Sequence, residues 1–260
     1  MLSQPQGAED SLASWALQDA VAVGLRCVNA ARTPADLEAL RSRAILAPKN
    51  DVVNEINDKI LASFPEQTVV QYTSADTIAG GTMDDYSLYP VEFLNSVDLP
   101  SLAPHTLRLC PGAVVILLRN LDQSRGLCNG ARAVVIHCRQ RVLDVLLLTG
   151  QHAGSRFFVP RIPMTSEATA LPFRLQRRQF PVRLAWAMTI NKAQGQSFSR
   201  VGILLRNAVF AHGQLYVALS RAGSLALLLA DPRSTMTIRI LGILLSGGFL
   251  EASKALLEGF

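Results

Sequence analysis

Apolar and polar positions change period several times along the 260 residues. Residues 1–10 are polar, and Leu12 to Val28 carries apolar side chains at helical spacing among alanines, which predicts a helix. Thr33-Pro34, with Asp36 and Glu38 close behind, predicts the capped start of a second helix running through Leu40. Ala44-Ile45-Leu46-Ala47, closed by Pro48, predicts a short buried strand. Asn50 or Asp51 then caps a helix whose apolar positions are Val52, Val53, Ile56, Ile60 and Leu61. Val69 to Tyr72 predicts the next strand. Ser74 to Pro90, with Gly80-Gly81 and Asp84-Asp85, predicts a polar loop, and Pro100 and Pro104 exclude a long helix before Leu109.

From Gly112 the period shortens. Ala113 to Leu118, Ala131 to His137 and Val142 to Leu148 predict three strands with turns at Asn129-Gly130 and around Gln140, and Phe157 to Pro160 a fourth. They lie too close together for intervening helices, so a small β-barrel is expected. Leu171 to Arg178 returns the chain to the main sheet. Val182, Leu184, Trp186 and Met188 alternate with Arg183, Ala185 and Ala187, predicting a single strand that breaks into the polar loop Thr189 to Gln196. Val201 to Leu205 predicts another strand, His212 to Leu219 a helix and Leu225 to Ala230 a last strand. The class is α/β.

An apolar fraction of 49% is sufficient for a core, and the formal charge of +5 hides a segregation. Residues 1–100 hold 6 basic and 14 acidic side chains, whereas residues 101–206 hold 15 basic and 3 acidic, so the middle is the polyanion-binding half or a solvated basic face. Arginine supplies 21 of the 25 basic residues, and its planar fork suits phosphate and bases better than a membrane surface. Cys27, Cys110, Cys128 and Cys138 form no metal-ligand spacing and no disulfide framework, which predicts reduced thiols. Asp84-Asp85 lacks a third ligand, so no metal is expected. Glu9 and Asp10 do not suit a signal peptide. Ile238 to Leu250, interrupted by Arg239 and Ser246-Gly247-Gly248, is too short for a membrane span.

In α/β sheets ligands gather at the carboxyl ends of strands, which makes Thr189, Asn191, Lys192, Gln194 and Gln196 candidates for holding a phosphate or nucleotide. An ordinary strand-to-helix turn answers the same spacing. In the basic middle, Arg119, Arg125, Arg132, Arg156 and Arg161 are candidate phosphate contacts. Phe157 or Phe158 could stack a base or fill the core.

Thr189-Ile190-Asn191-Lys192-Ala193-Gln194-Gly195-Gln196, followed by Leu215-Tyr216-Val217-Ala218-Leu219-Ser220-Arg221, resembles motifs V and VI of the Pif-type DNA helicases of superfamily one. Asn191 stands where most of that family has histidine and is closer to the Helitron-transposon branch. Ala44 to Asn50 and Gly126 to Arg132 extend the resemblance, which runs from about Arg43 to Ala222.

The resemblance implies a second RecA-like domain, a mostly parallel sheet flanked by helices, over residues 43–111 and 179–232. A small basic β-barrel would be inserted at 112–178, with a helical segment before it at 1–42 and a divergent tail at 233–260. It implies the carboxyl-terminal half of an ATP-dependent 5′-to-3′ DNA helicase, intracellular and nuclear, of a family tied to DNA repair, recombination and telomere maintenance. Arg221 would be the arginine finger, Gln194, Gly195 and Gln196 would lie near the nucleotide, and Thr189, Asn191, Lys192, Lys49 and Asn57 would touch single-stranded DNA, with Asn54 beside them. Asn191 puts one contact in doubt, since it cannot carry a histidine's charge.

None of the four lysines, Lys49, Lys59, Lys192 and Lys254, follows a glycine, so the Gly-Lys-Ser/Thr of a phosphate-binding loop is absent. ATP and Mg²⁺ are therefore expected only in a complete enzyme with a first RecA-like domain in cis or in trans, and the chain alone is not expected to hydrolyse ATP. A non-catalytic nucleic-acid-binding module or a truncated transposon-derived relic is the competing reading. A small-molecule α/β enzyme is disfavoured by the lack of any triad, metal or dinucleotide fingerprint.

Overall fold

The structure, a computed structural model, describes residues 22–26, 33–167, 171–205 and 214–230. Residues 22–26 are helical, and the expected tail at 233–260, most of the first helix and His212 lie outside the described residues. In chain order the elements are α1 (Pro34–Arg41), β1 (Arg43–Ala47), α2 (Asn50–Ala62), β2 (Val70–Thr73), β3 (Ala75–Ile78), α3 (Met83–Leu88), α4 (Val91–Ser96), β4 (Thr106–Leu109), β5 (Val114–Leu117), β6 (Arg132–Cys138) and β7 (Val142–Leu147). Then follow β8 (Arg156–Pro160), β9 (Ile162–Thr165), β10 (Leu175–Gln179), β11 (Val182–Leu184), β12 (Ala187–Thr189), a 3-10 turn at Ile190–Ala193, β13 (Phe198–Leu205), α5 (Gln214–Leu219) and β14 (Ala222–Ala230).

Two units divide the chain at Asp58/Lys59 and at Ala185/Trp186, with residues 19–41 joining the second. In the first, β12, β1, β13 and β14 lie side by side in that order and every pairing is parallel. A sheet of this kind is covered on both faces, which is why Ala44, Ile45, Leu46 and Ala47 are all buried and read as a solid apolar run rather than an alternation. β12 is an edge strand, and an edge leaves backbone groups to be satisfied. Asn57 on α2 does this: its Oδ1 accepts from the Ala187 N–H at 2.8 Å and its Nδ2 donates to the Ala187 carbonyl at 3.0 Å.

The second unit is antiparallel throughout. Its sheets run β11-β5-β6-β7-β8, β3-β10-β9 and β2-β4. The four strands expected between 113 and 160 are present, but no ladder among the described residues joins β8 to β11, so backbone hydrogen bonds do not close the expected barrel. Gly112 has φ +89°, and a Cβ there would come within 2.6 Å of the Gly24 carbonyl, so the chain can pass this point only as glycine.

Asp76 on β3 faces Arg177 on β10 with both side chains fully buried. Arg177 also donates to the carbonyls of Ala103 at 3.1 Å and Leu94 at 3.0 Å. A charge pair removed from water is tolerable only when its remaining donors are used as well.

Two expectations are corrected. Ser74 to Pro90 is not one loop, because it contains β3 and α3, and β3 is held by a partner strand about a hundred positions away. The single strand expected over 182–188 is two: β11 pairs antiparallel with β5, whereas β12 pairs parallel with β1. Alternation continues across the join, but each half takes its register from a different sheet.

Candidate functional site

In the parallel unit Ala47 pairs with Thr189, so the chain leaves β1 and β12 at the same edge of the sheet and brings Lys49 and the loop 189–196 there. Thr189 is 9% exposed and still extended, with ψ 149°. Buried Ile190 and Ala193 anchor the following 3-10 turn and leave Asn191 exposed and Lys192 half-buried. Gly195 has φ +81°, a left-handed conformation that turns the chain sharply between exposed Gln194 and half-buried Gln196. The Gln196 amide donates to the Lys192 carbonyl at 3.3 Å, folding the loop on itself. Lys49 accepts the Val53 N–H on its carbonyl at 3.2 Å, opening α2, and Asn54 is exposed one position on.

Arg221 follows α5 and reaches this loop. Its Nη1 donates to the Gln196 carbonyl at 3.2 Å, its Nε to the Val217 carbonyl at 3.2 Å and its Nη2 to the Ser220 hydroxyl at 3.1 Å. Its own carbonyl accepts the Phe198 N–H at 2.9 Å, tying it to the start of β13. A guanidinium carries five N–H donors, so one on each terminal nitrogen has no acceptor among the described residues. The residues expected near a nucleotide, Gln194, Gly195, Gln196 and Arg221, are thus brought together.

Other expected contacts are used inside the protein. Asn57 is 3% exposed, and both ends of its amide hold Ala187. Arg132 is 1% exposed and donates to the carbonyls of Arg41 at 3.3 Å, Leu40 at 3.4 Å and Ala185 at 3.4 Å. Burial lowers its pKa to about 10, so it stays charged at neutral pH.

Arg119 is half-buried on the Leu118 and Thr165 carbonyls. Arg125 is exposed, with its guanidinium 4.7 Å from the ring centre of buried Phe157. Arg156 pairs with buried Asp144, which also meets His137, and this guanidinium holds the Asp144 carboxyl below the usual carboxylate range. Of the two phenylalanines, Phe157 is core and Phe158 is 62% exposed.

Burial pushes the thiol of Cys110 up to about 12 and that of Cys138 up to about 11, which makes both poor nucleophiles. Among the described residues no group of three or more His, Cys, Asp or Glu side chains is placed to hold a metal. No described helix is long and apolar enough to cross a membrane.

Residues 92–138, from α4 to the end of β6, match the family model described as DNA helicase Pif1, 2B domain. The ATP-dependent DNA helicase PIF1 of Homo sapiens is 41% identical over 136 residues, which cover 52% of this chain and 20% of that protein. The chain is related to the Pif1 family of superfamily-one helicases.

The ATP-dependent DNA helicase PIF6 of Trypanosoma brucei brucei is 30% identical over 185 residues, 69% of this chain and 22% of that one. Among solved structures, a Bacteroides Pif1 helicase in complex with ADP-AlF3 and ssDNA aligns with TM-score 0.54 at 24% identity, covering 84% of this chain and 50% of that one. Pif1 helicase from Candida albicans aligns with TM-score 0.54 at 24% identity, over 87% and 58%. These structures support a helicase fold. The chain spans about a fifth of the curated Pif1 relatives and about half of the solved Pif1 chains.

Sequence reasoning about this Pif1 relative missed Asp76 and Arg177, whose pairing across 101 positions leaves no local signal. It also missed Gln179, fully buried, which donates to the Tyr72 and His105 carbonyls and accepts the Phe180 N–H.

Proposed function

We propose that this chain is the second RecA-like domain, with an inserted barrel-like set of strands, of an ATP-dependent 5′-to-3′ DNA helicase. The observation that carries it is the 3.2 Å hydrogen bond from Arg221 to the loop at Gln196, at one end of a parallel sheet. Arg221 is the residue that would meet the transferring phosphoryl group. In that transition state charge spreads over the equatorial oxygens, and Arg221 has two N–H donors left for them while its other three bonds hold it in place. Thr189, Asn191, Lys192 and Lys49 would face the backbone of a single DNA strand, and Arg119 and Arg125 are further candidate phosphate contacts.

The 260 residues fit only the arginine half of a nucleotide site, since no lysine follows a glycine. A first RecA-like domain, in cis or in trans, supplies the phosphate-binding loop, and ATP with Mg²⁺ supplies the phosphoryl group and its counter-charge when bound. Action on DNA implies an intracellular, nuclear location. One observation favours the non-catalytic module instead: all three guanidinium nitrogens of Arg221 already donate within the chain.

Turnover separates the two. Joined to the first RecA-like domain of a Pif1 relative, the chain should hydrolyse ATP when single-stranded DNA is added, and alone it should not exceed background. In the joined protein Arg221→Lys should lower turnover by about a thousandfold or more while leaving DNA binding intact, because lysine keeps the charge and loses the planar fork. A lysine variant that turns over at the parent rate would remove the finger assignment.

A further inference from the structure

A cleft of about 530 Å³ in the antiparallel unit is lined by Ala75, Gln140, Arg141, Pro160, Arg161 and Arg178. Three strands and a turn build it. Arg178 lies opposite Ala75 on the β10–β3 ladder, Pro160 opposite Val142 on the β8–β7 ladder, and Gln140-Arg141 form the turn between β6 and β7. Arg141 and Arg178 are exposed, and neither side chain has a hydrogen-bond or ion-pair partner among the described residues.

Arg161 is fixed differently. Its guanidinium lies 5.0 Å from the Phe180 ring centre and 5.3 Å from that of Tyr72, and its Nη1 donates to the Thr73 carbonyl at 2.8 Å. Its Nε is buried without an acceptor among the described residues. Among the described residues no carboxylate lines the cleft, and the nearest in sequence, Asp76, is consumed by Arg177. Three guanidiniums of one sign facing one cleft repel each other unless an anion enters.

We infer that this cleft binds a backbone phosphate of single-stranded nucleic acid, with Phe158 as the stacking platform for the adjoining base. The phenylalanine argues for a strand over a lone anion. Residues on β8 alternate exposed and buried, so Phe158 and Pro160 share the exposed face, roughly 7 Å apart at the usual rise per residue. An exposed aromatic beside an arginine cleft matches a base next to its phosphate, and only an unpaired base offers its face to a side chain. The inference rests on the single-strand binding proposed above but uses none of the residues assigned there.

The test is anisotropy of a labelled oligothymidylate with the full 260-residue chain across a salt series. Each phosphate neutralised contributes a slope of about 0.7 in log–log terms, so Arg141→Ala with Arg178→Ala, which removes this one phosphate contact, should reduce the slope by about 0.7 and weaken binding at low salt. Phe158→Ala should weaken binding roughly tenfold with the slope unchanged, and should make no difference with a strand of abasic sites. All three positions are exposed, so unchanged melting temperatures should accompany these losses, whereas Arg161 is left intact because it also packs on aromatic rings.

If the parent chain binds with a steep slope and the double variant matches it, the cleft is overturned while the helicase reading stands. If pyrophosphate displaces the oligonucleotide at low concentration and Phe158→Ala is silent, the cleft takes a free polyphosphate and the strand assignment falls. No binding by the parent chain would sink both readings.

Discussion

The two units use arginine in opposite ways. In the parallel unit Arg221 sits at the end of a short helix, holds the loop that ends in Gln196, and keeps two donors available for a ligand. In the antiparallel unit the fully buried arginines serve the fold: Arg177 closes on Asp76 and two carbonyls, and Arg132 closes on three carbonyls. Arg141 and Arg178, at the rim of a cleft, are among the exposed arginines there whose donors have no partner among the described residues. A basic stretch therefore measures how much positive charge a chain carries, and burial and carbonyl geometry decide how much can reach a polyanion.

That contrast can be broken at its strongest point by Asp76→Ala. Removing the carboxylate leaves Arg177 charged and buried with no counter-ion, which should cost about 3–5 kcal/mol and lower the melting temperature by many degrees. Replacing both members, Asp76→Leu with Arg177→Met, should recover much of the loss. If Asp76→Ala melts like the parent, the structural role of the buried arginines is wrong.

A smaller effect is expected at Asn57 in the parallel unit. Asn57→Leu leaves the Ala187 N–H and carbonyl unpaired and should cost about 1–3 kcal/mol in denaturant unfolding, with the folded protein binding DNA as before. Full stability together with weakened DNA binding would return Asn57 to the DNA-contact role.

The smallest effect is a pH dependence at Asp36. The Arg26 guanidinium, then the Thr33 N–H and hydroxyl, hold this carboxyl at about 2, below its ordinary value. A depressed folded-state pKa contributes stability above the unfolded value and loses it as pH falls through the folded one. The melting-temperature gap between the parent and Asp36→Asn should therefore be present at pH 6 and shrink between about pH 4 and pH 2. A gap that stays constant over that window would show that the charge on Asp36 contributes nothing.

By itself the sequence determined what is local. The cap at Thr33, the buried run at 44–47, the strands at 114–117, 132–138, 142–147 and 156–160, and the polar loop after Thr189 all follow from the period of apolar residues and a few turn and cap residues. The order of the two blocks around Asn191 and Arg221 also pointed to residues that meet in space. The tertiary structure alone decided the rest. It split the alternating run 182–188 between two sheets, because alternation specifies a face and not a partner. It joined Asn57 to Ala187 across 130 positions and Asp76 to Arg177 across 101. It also sorted the arginines into buried and available, since a guanidinium donates alike to a carbonyl, a carboxylate or a phosphate, and only the neighbours that folding supplies choose among them.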